Sequence, residues 1–85
     1  MNTTQFSVTT GNPQVIPVKN PGGQTLMAIQ NDGAGVLTVE GKLAGNTNFA
    51  AMGTIAANTV SGITIVAGLV EIRLSGAANT GTISG

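Results

Sequence analysis

The chain has no cysteine, no histidine, no tryptophan and no tyrosine, and only two phenylalanines, Phe6 and Phe49. Without cysteine no disulfide can supplement a small core, and without cysteine or histidine a zinc site lacks both of its preferred ligands. A Ser-His or Cys-His catalytic arrangement is excluded by the same absences. Charge is the next scarcity: six residues are ionised, three of each sign, among 85, where an ordinary soluble domain carries about 25% charged residues. A net charge of zero removes the basic footprint that nucleic-acid binding requires, so no nucleic-acid partner is expected. It also leaves little repulsion between copies. Two readings of this surface stay open: a polar surface made of Thr, Asn and Gln, or a surface largely covered in an assembly.

No charged residue stands between Leu43 and Val70, but Asn46, Asn48, Asn58 and repeated Gly and Thr interrupt the run. Its purest stretch, Val60 to Val70, is shorter than the ~20 residues of a spanning helix, so no membrane partner is expected. The opening residues, Met1 to Phe6, carry neither a basic region nor an apolar run, and no secretory signal is expected there.

What is present points to strands. Val and Ile number 15 against five Leu, and 12 Thr join them; β-branched side chains suit a pleated surface better than a helix. Thirteen Gly and eight Asn supply turn chemistry. Turn signals fall at Gly11-Asn12-Pro13, Asn20-Pro21-Gly22-Gly23, Asn31-Asp32-Gly33, Ala44-Gly45-Asn46, Ala57-Asn58, Ala67-Gly68 and Gly76 to Asn79, an even punctuation typical of sandwiches and barrels. Between them apolar and polar residues alternate: Leu37, Val39 and Gly41 against Thr38, Glu40 and Lys42, and Val70, Ile72 and Leu74 against Glu71, Arg73 and Ser75. Phe6 and Val8 alternate with Gln5, Ser7 and Thr9, and Ile63 and Ile65 with Thr64.

Strands are therefore expected over 4–10, 14–18, 25–30, 35–42, 48–54, 59–66, 69–75 and 80–84, the second at an edge because Pro17 cannot donate to a ladder. Phe49, Met52 and Ala56 also fit a single helical turn. Residues 26–43 read as a hairpin about Asn31-Asp32-Gly33. The expected fold is one all-β domain over 1–85, a small antiparallel β-sandwich or jelly-roll-like barrel of about 7–8 short strands. Phe6, Val8, Leu37, Val39, Phe49, Ile63, Ile65, Val70, Ile72 and Leu74 are its expected core. Residues 1–24 are an edge segment or a clasping arm.

No enzymatic site is expected. Asp32 sits in a turn and is expected to cap backbone, while Glu40 and Glu71 lie on wet strand faces near Lys42 and Arg73, where exposed ion pairs are usual. Gly33-Ala34-Gly35 lacks the Gly-Lys-Ser/Thr of a phosphate loop and reads as turn glycine. No catalytic, cofactor-binding or metal-binding residue is therefore assigned, and no cofactor.

The run Val36-Leu37-Thr38-Val39-Glu40-Gly41-Lys42-Leu43-Ala44-Gly45-Asn46-Thr47-Asn48-Phe49 resembles the hairpin of small β-sandwich proteins from tailed-phage particles: a strand, Glu-Gly, a short turn, then Asn-aromatic. Gly68 to Leu74 resembles the strand near the end of such modules, with Gly81 to Gly85 as a short terminal strand. The resemblance spans about residues 25–85 and is one of style. It implies a head decoration or cement protein: a homo-oligomer, trimer or dimer, bound to the major capsid protein on the capsid exterior of a virion and made in the host cytoplasm. The alternative is a small glycan- or receptor-binding module of a phage tail appendage. Carbohydrate recognition leans on exposed aromatics, of which this chain has few.

Overall fold

The computed structural model describes residues 3–18, 26–66 and 68–84. They form eight strands and, among the described residues, no helix: β1 (Thr3–Thr9), β2 (Gln14–Pro17), β3 (Leu26–Asn31), β4 (Leu37–Leu43), β5 (Ala50–Ile55), β6 (Thr59–Thr64), β7 (Leu69–Ser75) and β8 (Ala78–Ser84). The expected turn at Asn20 to Gly23 lies outside the described residues. The 49–56 segment is strand β5 and its connection, not a helical turn.

The strands build two four-stranded sheets, ordered β1-β8-β3-β6 and β2-β7-β4-β5, with every pair antiparallel. Every chain connection except β4–β5 passes from one sheet to the other. Eight strands in this order make a small β-sandwich of the jelly-roll type. Residues 3–17 supply edge strands to both sheets, β1 along β8 and β2 along β7.

The period-two pattern fills the space between the sheets. Phe6, Val8, Met27, Ile29 and Ile83 from the first sheet meet Ile16, Leu37, Val39, Ile55, Leu69, Ile72 and Leu74 from the second, all buried. Phe6 finds room because Gly81 lies opposite it in the ladder; a Cβ on Gly81 would overlap the carbonyl oxygen of Gln30 and crowd the Phe6 ring.

Two core expectations are corrected here. Val70 is only partly buried and Leu69 is fully enclosed, because the β4–β7 register shifts between Lys42 and Leu43. That bulge inserts one residue and re-aims the side chain before it. Phe49 is not in the core; it precedes β5 and lies half-buried. Ile63 is partly buried and packs against the core.

The hairpin expected about Asn31-Asp32-Gly33 does not form. β3 and β4 lie in different sheets, and the chain crosses the sandwich between them. A tight hairpin turn there needs positive φ at its central residues; neither Asp32 nor Gly33 has it. A stronger local bond competes. Asn31 is fully buried, and its Oδ1 accepts from the Gly33 N–H at 3.0 Å. Its Nδ2 donates to the carbonyls of Gly35 at 3.0 Å, Ile55 at 3.2 Å and Ala56 at 3.1 Å. Asn79 Nδ2 bridges Asn31 Oδ1 at 3.0 Å and the Gly35 carbonyl at 2.8 Å. Gly33 is present for close approach, since a Cβ would overlap Asn79.

This amide pair joins the β3–β4 corner, the β5–β6 corner and β8 at one end of the sandwich. Each buried polar group left without a partner costs about 1–3 kcal/mol, and replacing Asn31 strands several at once. Asn31→Ala is therefore expected to lower unfolding free energy by about 3 kcal/mol or more in urea titration, whereas the exposed Asp32→Ala changes it by less than about 0.5 kcal/mol.

Candidate functional site

Three surfaces differ in chemistry, and alternation along the strands creates each of them. The outer face of the second sheet carries four of the six ionised residues of the chain. Strand alternation puts Glu40 and Lys42 on the wet side of β4, and register places them opposite Arg73 and Glu71 of β7. Lys42 Nζ lies 2.6 Å from Glu71 Oε1, and Arg73 Nη2 lies 2.9 Å from Glu40 Oε1; Arg73 Nε also donates to that oxygen at 2.9 Å. The expected placement of these four groups is thus observed, and each charge faces its opposite.

Phe49 covers this ladder. Its ring centroid is 4.6 Å from Arg73 Cζ and 5.3 Å from Lys42 Nζ, within cation–π range of both. The short turn after β4 returns the chain over the face it has just built, which brings the aromatic onto the cations. Among the described residues Asp32 caps no backbone N–H: its Oδ1 accepts from Gln30 Nε2 at 2.8 Å, and the capping role falls to its neighbour Asn31.

The outer face of the first sheet is its opposite in character. Gln5, Thr82, Gln30 and Val60 form one cross-strand row, with Ser7 and Thr80 in the next, and no ionised residue stands on these strands. A shallow depression of about 520 Å³ there is lined by Gln5, Ser7, Gln14, Asp32, Thr80 and Thr82, among others. It presents amides, hydroxyls and one carboxylate.

The third surface is the open side of the sandwich. Edge strands β5 and β6 leave a groove of about 530 Å³ between them, floored by Met52, Ile63 and Leu69 and flanked by the exposed Leu43 and Val66. No titratable side chain lines it.

Among the described residues, no three acidic side chains gather as a metal cage would require. The sequence placed Glu40, Lys42, Glu71 and Arg73 on wet strand faces, because both strands alternate cleanly; the cross-strand ladder itself comes from the β4–β7 register. Sequence reasoning did not find the ring over the ladder or the Asn31–Asn79 pair. Asn31 and Asn79 each stand in a segment whose turn residues look alike, and only the tertiary crossing distinguishes a buried amide from an exposed one.

No protein-family model, no curated protein and no solved structure matches this chain.

A phenylalanine lying on an ion-pair ladder contributes far less than one in a core. Phe49→Ala is expected to destabilise by about 1 kcal/mol, the scale of an exposed cation–π contact. Phe6→Ala is expected to cost about 3–5 kcal/mol as a core truncation. Urea or thermal unfolding of the two variants under one condition checks the difference.

Proposed function

We propose that this chain is a non-catalytic structural protein of a virion, one that decorates and cements a phage capsid as a homo-oligomer bound across capsid subunit junctions. The observation that carries this reading is the distribution of charge. Four of six ionised groups neutralise one another in pairs on one face, and the remaining sheet face and the open groove offer backbone, hydroxyl, amide and aliphatic surface with Asp32 as their one carboxylate. Such a surface suits broad contact with another protein better than attraction of a charged ligand. The β4–β5 hairpin that resembles those of tailed-phage modules sits in a jelly-roll sandwich, an architecture found among viral capsid and lectin domains. That last support is fold-level analogy.

The mechanism is linkage. A protein that binds the assembled shell and not its separated subunits stabilises the shell by mass action, whatever the detailed contacts. Because the contacts are not charge-driven, salt weakens the binding only slightly.

One observation favours a second reading. The depression lined by Gln5, Ser7, Gln14, Thr80 and Thr82 offers the hydrogen-bonding groups that recognise a sugar, which fits a glycan-binding module of a tail appendage. The one surface aromatic, Phe49, is stacked on Arg73 and Lys42, on the other sheet.

The test adds purified protein to phage heads assembled without it and measures occupancy and the temperature of head disruption at low and high salt. Saturable occupancy, a higher disruption temperature and a small salt effect are expected. Absence of binding, or binding that leaves the disruption temperature unchanged, rejects the cement role. Retention on a glycan array in its place transfers the assignment to the second reading.

A further inference from the structure

We propose that β6 is the strand through which two copies of this chain pair, edge to edge about a two-fold axis. The two sheets have four edge strands, β1 and β6 in the first, β2 and β5 in the second. Exposed edges invite pairing with other chains, and folded proteins normally blunt them with proline, charge, bulges or a covering group.

Three of the four edges are blunted. On β1 the Ser7 N–H donates to Gln14 Oε1 at 3.1 Å, and Thr9 is bridged to Asn12 as the chain turns back. β2 is four residues long and ends in Pro17, which has no N–H. β5 is broken by a register shift against β4, beside Gly53 at a φ of 148°; such a bulge twists an edge out of pairing geometry.

β6 has none of these devices. Its six residues, Thr-Val-Ser-Gly-Ile-Thr, include no charge and no proline, and they run in unbroken register with β3 from Asn31↔Thr59 to Leu26↔Thr64. Among the described residues, no side chain or loop bonds to its outer edge. Val60, on its outer face, is 65% exposed, the highest figure among the exposed large hydrophobic side chains.

The occupant follows from symmetry and charge. Across a two-fold, a strand meets its own sequence, so any ionised residue would stand close to its copy; an uncharged edge carries no such penalty. Strand parity then restricts the register. Side chains opposite one another in an antiparallel pair point to the same face, so the axis passes through Ser61 or Gly62, and Ser61 faces either its own copy or Ile63. Pairing yields one continuous eight-stranded sheet, the sum of two four-stranded ones. Its outer ends are the blunted β1 strands, which stops growth at two copies rather than a fibre. The contact does not depend on the capsid reading, because it forms in the protein alone.

The experiment is sedimentation velocity of the full chain over a concentration series, with circular dichroism of each variant. The unmodified chain is expected to sediment as a dimer. Ser61→Lys, an inward-pointing edge charge, is expected to weaken association by about a hundredfold or more, because in one register it meets its own copy and in the other it is set against the apolar Ile63 with its copy on the adjacent diagonal. Val15→Lys, on the blunted β2 edge, is expected to leave it unchanged. Mixing Ser61→Lys with Ser61→Glu restores the pair. Should Ser61→Lys fail to fold, Val60→Lys on the outer face replaces it with the same expected loss. A monomer at every concentration, a trimer, a dimer indifferent to the β6 charges, or equal disruption by Val15→Lys would overturn the proposal.

Discussion

The carboxamide of Asn31 is the constraint on which the rest of the sandwich depends. Both of its amide hydrogens are shared among three backbone carbonyls on two corners, and its oxygen takes the N–H of Gly33 and the amide of Asn79. A chain of this size has a modest core and no disulfide, so the corners where strands change sheets are its weak points. Loops that cross a sandwich leave carbonyls without ladder partners, and a buried asparagine supplies the donors that water cannot. The glycines serve this node: side chains at Gly33 or Gly76 would displace the Asn79 amide. Asn79 Oδ1 itself is the one buried side-chain polar atom without a partner among the described residues.

Much of this architecture was legible in the sequence, for a definite reason. β-Branched alternation is a local signal, and it located all eight strands to within about two residues. The wet and dry faces of β4 and β7 followed, but which charge pairs with which did not, because Glu40 meets Arg73 and Lys42 meets Glu71 only through the β4–β7 register. What stayed hidden was non-local. Asn-Asp-Gly between two apolar runs looks like a hairpin turn, and nothing in those residues announces that β3 and β4 belong to different sheets. The depth of Asn31 depends on contacts with Ile55, Ala56 and Asn79, far away in sequence. Phe49 was expected in the core because large aromatics usually bury there. Here two cations offer its ring a face on the surface. Val70 was lost to a single bulge, which moves a side chain between faces without changing the composition of the strand.

The sequence's long uncharged run acquires a meaning from topology. Leu43 to Val70 contains all of β5 and β6, and the fold places those two strands side by side at the open edge of both sheets. Four of the six charges gather elsewhere, where they cancel in pairs. One molecule thus separates a neutralised ladder from an uncharged edge. A two-fold pair through β6 would present the Thr, Ser and Gln face of the first sheet at twice its width.

The most direct measurement is residue-resolved amide hydrogen exchange of the unmodified chain at rising protein concentration. Amides on the free side of β6 should slow as concentration rises, while the edge amides of β1, β2 and β5 keep their rates. Exchange on β6 that is independent of concentration, or slowing confined to β5, would contradict the account.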